Sequence, residues 1–376
     1  MKRVGIIGGG LFGLAAALEL SECSQVTVFE KSSRVLRGAS YGNQNRFHHG
    51  YHYPRSVATG RDCLDSLPEF VARFGSALLT DFENYYCVAN KGSKTSPEQY
   101  VRFCEKLHLP HDIGWPSASF LARDRIAECF QVPEPIIDLA RLREIVTAEV
   151  ARRPSLDLRL EAAVTGGRIL HSGQKRLTIT SRGRAVSRDF DYVVDCTYAH
   201  LNQFAEWVGS KPRPFQFELV EIPVVRLASR RRVGVTIMDG PFCSLLPYGA
   251  TRESLLYHVE ASVLDTVQAG AYEAPDCFDS NWESIVAKSA EFIPAVETAR
   301  YIRSIFAVRA VDPASEDDDA RRSVLVDQGH GCWSVFSGKL VAACRVAKEL
   351  RRAAFGTAST GLHARASGAH RELPGR

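Results

Sequence analysis

Apolar residues along the chain fall into two regimes. At the start, "RVGIIGGGLFGLAAALELSECSQVTVFEK" (residues 3–31) sets two short continuous hydrophobic stretches on either side of a glycine turn and an alanine-rich run. Short unbroken apolar runs predict buried parallel strands, and the longer run between them predicts a helix, so the segment reads as a βαβ unit. "RDCLDSLPEFVARFG" (61–75) is predicted helical, and "DFENYYCVANKG" (81–92) a strand running into a turn. The α/β alternation then fades. Residues 110–135 hold prolines at 110, 116, 133 and 135, which predicts irregular chain there.

A helix is predicted over "DLARLREIVTAEVARRP" (138–154), with Asp138 as N-cap and Pro154 beyond its end. Three strands follow, in "LDLRLEAAVTGG", "KRLTITS" and "FDYVVDCTYA", the last continuously apolar as a buried parallel strand would be. After Pro212, Pro214 and Pro223, "VGVTIMDG", "FCSLLPYG" and "SLLYHVEAS" have the pattern of an antiparallel sheet. "SNWESIVAKSAEFIPAV" is predicted helical, "YIRSIFAVRAVD" extended, and "SEDDDARR" a solvated charged loop. The closing "SVLVDQGHGCWSVFSGKLVAACRVAKELRRAAFG" reads as strand, glycine turn and helix, ahead of a Gly/Ser/Arg/His tail expected to be disordered. The fold class expected is α/β, α+β overall: a Rossmann-like dinucleotide domain from residues 1–80, 136–210 and 300–355, a mainly antiparallel second domain from 81–135 and 211–299, and a tail at 356–376.

Composition narrows the function classes. The chain has 376 residues, 45% hydrophobic and 24% charged, as a soluble globular protein does. Its 47 basic and 43 acidic residues leave a net charge of +4, too slight a bias for a nucleic-acid surface. Ten cysteines are scattered with no CxxC pair, which fits reduced thiols in a cytoplasmic protein. No apolar run approaches the roughly 18 residues of a membrane span, so no integral membrane association is expected.

In "GIIGGGLFG", Gly8, Gly10 and Gly13 complete a GxGxxG string. Gly8 serves the tight turn, Gly10 the approach of a pyrophosphate, and Gly13 the packing of helix on strand. The helix N-terminus offers amide donors to an anion. Glu30 closes the second strand, where a carboxylate accepts from the ribose hydroxyls of an adenosine. The motif alone fits NAD or FAD.

"NQNRFHHGYHYPRS" (43–56) concentrates histidine, arginine and tyrosine. His48 and His49 would face opposite ways in a strand, while Gly50 and Pro54 oppose the helix that would align His48 with His52, so no metal site is expected. The segment makes better sense as the wall of a cofactor pocket, with Ser40 and Gly42 allowing close approach and Asn43, Asn45 and Arg46 donating or accepting around the ring and phosphates.

Together with "GASYGNQNRFHHGYHYP", "YVVDCTYAH" and "GHGCWSVFSGKLVAACRVAKEL", these residues resemble the D-amino acid oxidase superfamily of flavoproteins, including its L-2-hydroxyglutarate dehydrogenase and glycerol-3-phosphate dehydrogenase branches. The resemblance implies FAD as cofactor. It places Leu11, Phe12, Lys31, Val164, Cys196 and Thr197 among the cofactor contacts, and Gly329, Gly331, Ser337, Gly338 and Lys339 at the flavin. Asp195 and Tyr198 depart from the family, which commonly has Asn and Gly there.

His48 aligns with the family's active-site histidine and is the first candidate base, since a pKa near neutrality suits removal of a proton from an amine or alcohol. His48 or His49 is the candidate for a covalent flavin link, as in some relatives. His52 and Tyr53 are candidates to face substrate. Arg309 matches an arginine that reaches the substrate or flavin, and its planar fork suits a carboxylate; Arg303 is the second candidate. The implied activity is hydride transfer from a C–N bond of a small amine or amino-acid-like substrate to flavin N5, with electrons passing on to oxygen or a carrier. The alternatives are oxidation of a 2-hydroxy acid or other alcohol, and a non-catalytic flavin-binding partner or sensor.

Overall fold

The computed structural model describes residues 1–272, 279–311 and 323–356. The charged "SEDDDARR" loop and the tail after Gly356 lie outside them, as does Cys277; the nine described cysteines are free thiols.

The opening segment folds as its pattern predicts. Strand β1 (Arg3–Ile7), helix α1 (Leu11–Leu20) and strand β2 (Gln25–Phe29) form a βαβ unit, with β1 parallel to β2. Nine of the ten residues of α1 are buried, because one side packs on the sheet and the other on helix Ala343–Phe355 and its neighbours. That is why the helix is apolar all round rather than amphipathic. The sheet has six strands, in the order Val324–Gly329, Cys332–Phe336, Tyr192–Asp195, β1, β2 and Leu156–Arg159, and only its first pair is antiparallel.

A second, nine-stranded sheet lies across the ends of the first. It is antiparallel except where Val233–Met238 runs beside Glu83–Ala89. Its spine is Phe215–Arg226, which carries Val263–Ala269 and Ser254–His258 along one edge and Arg300–Val311 along the other. Arg300–Val311 therefore belongs to the larger sheet, and the expectation that all of 300–355 goes with the parallel sheet is corrected. Sequence order misleads here, because long antiparallel pairing overrides the proximity of the next strand in the chain.

Other local expectations also change. Ile126–Gln131 is a strand inside the proline-rich segment, since the prolines flank it instead of interrupting it. Helix Pro97–Leu107 was not expected, yet "SPEQ" carries its signal: Ser96 accepts from the Gln99 amide, Gln99 returns the bond, and Pro97 opens the helix. Arg184–Phe190 pairs with Lys175–Ser181 as an exposed strand whose charged residues hide any alternation. The C-terminal segment contains two strands before its helix, not one.

One contact fixes the geometry of the first turn. A Cβ at Gly13 would lie 2.0 Å from the Gly8 carbonyl oxygen, so α1 reaches β1 closely only because residue 13 has no side chain. Gly13→Ala is expected to push the helix away and lower stability by roughly 1–3 kcal/mol or more. Urea unfolding measures this, and an unchanged midpoint would contradict the packing described.

Candidate active site

The parallel strands end on a single cavity of about 1730 Å³, closed on its far side by the nine-stranded sheet. Its floor is the turn from β1 to α1. Gly8 has a φ of +104°, a conformation that disfavours a side chain, and its amide donates to Phe29 O at 2.8 Å. A Cβ at Gly10 would meet only the Ser40 hydroxyl, at 3.3 Å, so the space above this residue is open on the cavity side. The Leu11 amide at the start of α1 donates to Ser40 Oγ at 3.0 Å. At the end of β2, Glu30 accepts from the Gly9 amide (2.7 Å) and the Ser32 amide (2.8 Å), which holds a buried carboxylate at the cavity edge.

Gly8, Gly10, Leu11, Phe12, Glu30, Lys31, Ser40, Asn43, Arg46, His48, Val164, Cys196, Thr197, Ser337 and Gly338 all line this cavity, as do His52, Tyr53 and Arg309. Gly13 does not; it serves the packing beneath. Asn43 staples its own loop by donating to Ala39 O and Ser40 O. Asn45 is brought to the loop corner rather than the cavity, in the left-handed region at φ +58°, with its amide N–H on Asn43 Oδ1.

Three rings form one cluster on the cavity wall. His48 lies 5.9 Å from His52 and 5.4 Å from Tyr53, and His52 meets Tyr53 edge-on at 5.5 Å. Gly50, at φ +111°, turns the chain against Gly60 and so brings residues 48, 52 and 53 together. His49 points elsewhere: its ring packs on Phe47 and Tyr51, and burial pushes its pKa down to about 4. It is outside the cavity lining, which removes it as a candidate tether. Among the described residues no group of three or more His, Cys, Asp or Glu is arranged to hold a metal ion.

Two of the cations on the wall, Arg46 and Arg309, are tied to partners that the sequence did not reveal. Arg46 donates to the Tyr86 hydroxyl (3.1 Å), which donates to Glu134 (2.5 Å), and Glu134 also accepts from the His49 amide. Burial raises the Glu134 pKa while Arg46 opposes the rise. Arg309 donates to the Tyr257 hydroxyl at 2.6 Å and pairs with Glu218 at 2.9 Å, the residue facing it on the neighbouring strand. Glu218 and Tyr257 line the cavity beside it. Arg303, three alternations earlier on the same strand, lies outside the cavity lining.

Three C-terminal expectations are corrected. Gly329 and Gly331, at φ +78° and +75°, form the hairpin turn before Cys332–Phe336. That strand runs parallel to Tyr192–Asp195, so its turn is at the opposite end of the sheet from Ser337, about 20 Å from Gly331 at roughly 3.3 Å per residue. A Cβ at Gly331 would strike Tyr192, which accounts for the glycine without a cofactor. Lys339 is fully buried, paired with Asp62 at 3.1 Å, and stands over the back of the Tyr53 ring at 5.5 Å. It lies behind the wall, not on it.

Asp195 ends its strand beneath the cavity. One oxygen accepts from the Thr197 amide at 2.9 Å and the other has no partner among the described residues. Burial pushes this carboxyl up to about 7.

The comparisons with known proteins agree with this geometry. The family model described as FAD dependent oxidoreductase matches residues 3–344. The FAD-dependent monooxygenase FPY4 of Fusarium mangiferae is 28% identical over 352 residues, covering 90% of this chain and 87% of that protein. The glycine oxidase of Geobacillus kaustophilus has the same fold, with a TM-score of 0.75 at 16% identity over 99% of this chain and 100% of its own. The L-alpha-glycerophosphate oxidase of Mycoplasma pneumoniae, solved with FAD bound, gives a TM-score of 0.68 at 14% identity over 94% and 95% of the two chains. No helix among the described residues is long and apolar enough to cross a membrane.

FAD fits the residues present: an open glycine turn at a helix start, a buried carboxylate at the end of β2, and a cavity of about 1730 Å³ that continues from both to the His48 cluster. Gly10→Val is expected to keep the fold, since little protein opposes it, but to fill the space left for the pyrophosphate. Purified protein should then lose its absorbance near 450 nm while keeping its circular dichroism; retained stoichiometric FAD would contradict the assignment. For Asp195, the folded pKa lies above the ordinary 3.8, so between about pH 4 and pH 7 the folded chain holds a proton that the unfolded chain has lost. Stability contributed by that proton is lost as pH rises through this window. Asp195→Asn is expected to stabilise the protein more at about pH 8 than at about pH 5 in urea unfolding; an equal effect at both would show the carboxyl to be ionised throughout.

Proposed function

The chain belongs to the FAD-dependent oxidoreductase family, and on that premise we propose that it oxidises the C–N bond of a small amine that also carries a carboxylate. The observation that carries this reading is the Arg309–Glu218 pair beside the Tyr257 hydroxyl in the cavity wall. A guanidinium and a carboxylate held side by side complement a zwitterion, whose own carboxylate and ammonium take the two partners together. A hydroxy acid offers only the anionic half, and to bind Arg309 it would compete with Glu218 without compensating it. The pair therefore favours an amine over a hydroxy acid.

Bound FAD supplies the two-electron acceptor. The protein's part is to bind, orient and manage protons. Arg309, Glu218 and Tyr257 fix the substrate from the sheet side of the cavity. His48, on the cavity wall with His52 and Tyr53 against it, takes the proton from the substrate nitrogen. Arg46 sets a fixed positive charge in the wall, and its buried link through Tyr86 to Glu134 holds the guanidinium in place. The cluster of rings and the overlying sheet limit water around the reacting groups.

A second reading is oxygen insertion, favoured by the name of the Fusarium relative as a monooxygenase. Product mass after turnover under labelled dioxygen separates the two, since simple amine oxidation leaves no oxygen from O₂ in the organic product.

His48→Ala is expected to retain FAD and to slow anaerobic flavin reduction by roughly 10²–10⁴-fold. Glu218→Gln is expected to raise KM for amino-acid substrates more than it lowers kcat. Stopped-flow reduction and steady-state kinetics check both. A wild-type reduction rate in His48→Ala would remove the histidine from the mechanism, and an unchanged KM in Glu218→Gln would remove the zwitterion argument.

A further inference from the structure

On the outer side of the wall where Gly42 meets Ala307, three separate segments bring four arginines together. Arg34 and Arg37 come from the loop after β2, Arg143 from helix Leu139–Ala151, and Arg303 from strand Arg300–Val311. Two tyrosines form the centre. The Tyr41 and Tyr248 hydroxyls are 3.5 Å apart, Arg303 donates to Tyr248 at 3.2 Å and lies 5.6 Å over its ring, and Arg37 lies 5.8 Å over Tyr41.

Several arginines on the neighbouring elements are ion-paired. Arg141 pairs with Glu144, Arg226 with Glu253, and Arg232 with Asp81. Among the described residues, none of Arg34, Arg37, Arg143 and Arg303 has a carboxylate within ion-pair distance. Neighbouring guanidiniums with no counter-charge repel one another, and Arg143 registers this: its pKa is lowered by burial first and then by Arg34 and Arg37. The arrangement is nevertheless held firmly. Arg143 donates to the carbonyls of Val35 and Leu36, at 3.2 and 3.3 Å, and Leu36 is kept in the left-handed region at φ +56°. A leucine in that conformation is strained, so the loop presents its arginines at some expense to the fold.

We propose that Arg34, Arg37, Arg143 and Arg303, with the Tyr41 and Tyr248 hydroxyls, bind a phosphate group at a site separate from the cofactor cavity. Guanidinium groups and phenolic hydroxyls gathered around the Tyr41–Tyr248 contact can supply the several donors that a tetrahedral dianion accepts, and its charge supplies the missing counter-ion. Tyr41, Tyr248, Arg143 and Arg303 are half-buried. A small anion reaches such a recess more readily than the flat face of an acidic protein does. Of the four arginines only Arg37 also lines the cavity, so the site borders the cofactor without sharing its pocket.

The test is calorimetric titration of FAD-saturated protein with inorganic phosphate and, separately, with methyl phosphate, at ionic strength held constant with chloride. The expected result is one site per chain, weakened roughly tenfold or more by Arg303→Gln and by Arg143→Gln, with Arg182→Gln as an exposed control that leaves it unchanged. Tyr248→Phe guards against a folding defect at Arg143, and is expected to weaken binding while FAD content stays full. Tighter binding of methyl phosphate identifies the phosphate of an organic ligand; equal or tighter binding of inorganic phosphate identifies the free ion. No binding above the chloride baseline, wild-type affinity in Arg303→Gln, or binding confined to FAD-free protein would overturn the proposal.

Discussion

The close approach of α1 to the end of β1 is the constraint on which the cavity depends. Because Gly13 has no side chain, the helix start sits against the Gly8 carbonyl, and Gly8, Gly10, Leu11 and Phe12 are brought to the cavity lining. The same approach brings the Glu30 carboxylate within reach of the Gly9 amide, so the start of the helix and the carboxylate at the end of β2 are fixed relative to each other by a direct hydrogen bond. Parallel pairing then delivers Cys196 and Ser337 to the same edge, since all these strands end together. One backbone contact thus sets the floor over which the second sheet closes.

Charge management is the second theme. Four of the cations at or behind the cavity wall are held by acidic partners: Arg46 through Tyr86 to Glu134, Arg309 to Glu218, Lys339 to Asp62, Arg55 to Asp239. Truncating one partner of such a buried pair leaves the other uncompensated, so the pairs hold geometry more than they add net stability. Pairing also keeps the guanidiniums in fixed orientations, which a site that must align a small substrate requires. The basic cluster outside the wall stands apart from this pattern, and that contrast is what marks it.

Local motifs were legible in the sequence because their chemistry is local. Gly8, Gly10, Glu30 and Ser40 each follow from a few adjacent residues, His48 was legible by resemblance to a short family string, and all of these line the cavity with His52 and Tyr53. Arg309 was legible by resemblance, but Glu218 was not: it joins Arg309 only through a strand pairing between distant parts of the chain. Glu134, set between two prolines in a segment read as irregular, gave no signal of its link to Tyr86. Gly329 and Gly331 misled for the opposite reason, as glycines near a helix start that in fact serve a hairpin at the far end of the sheet. His49 differed from His48 only in direction, which Gly50 and the turn decide.

The central claim is that this cavity holds FAD and uses it on a small zwitterionic amine. The most direct measurement is anaerobic titration of the purified, FAD-loaded protein with matched panels of amino acids, simple amines and 2-hydroxy acids, following the flavin absorbance near 450 nm. The account expects bleaching by at least one amino acid at concentrations where its hydroxy-acid counterpart leaves the spectrum unchanged. Bleaching by hydroxy acids alone, or by none of the three panels, would contradict it.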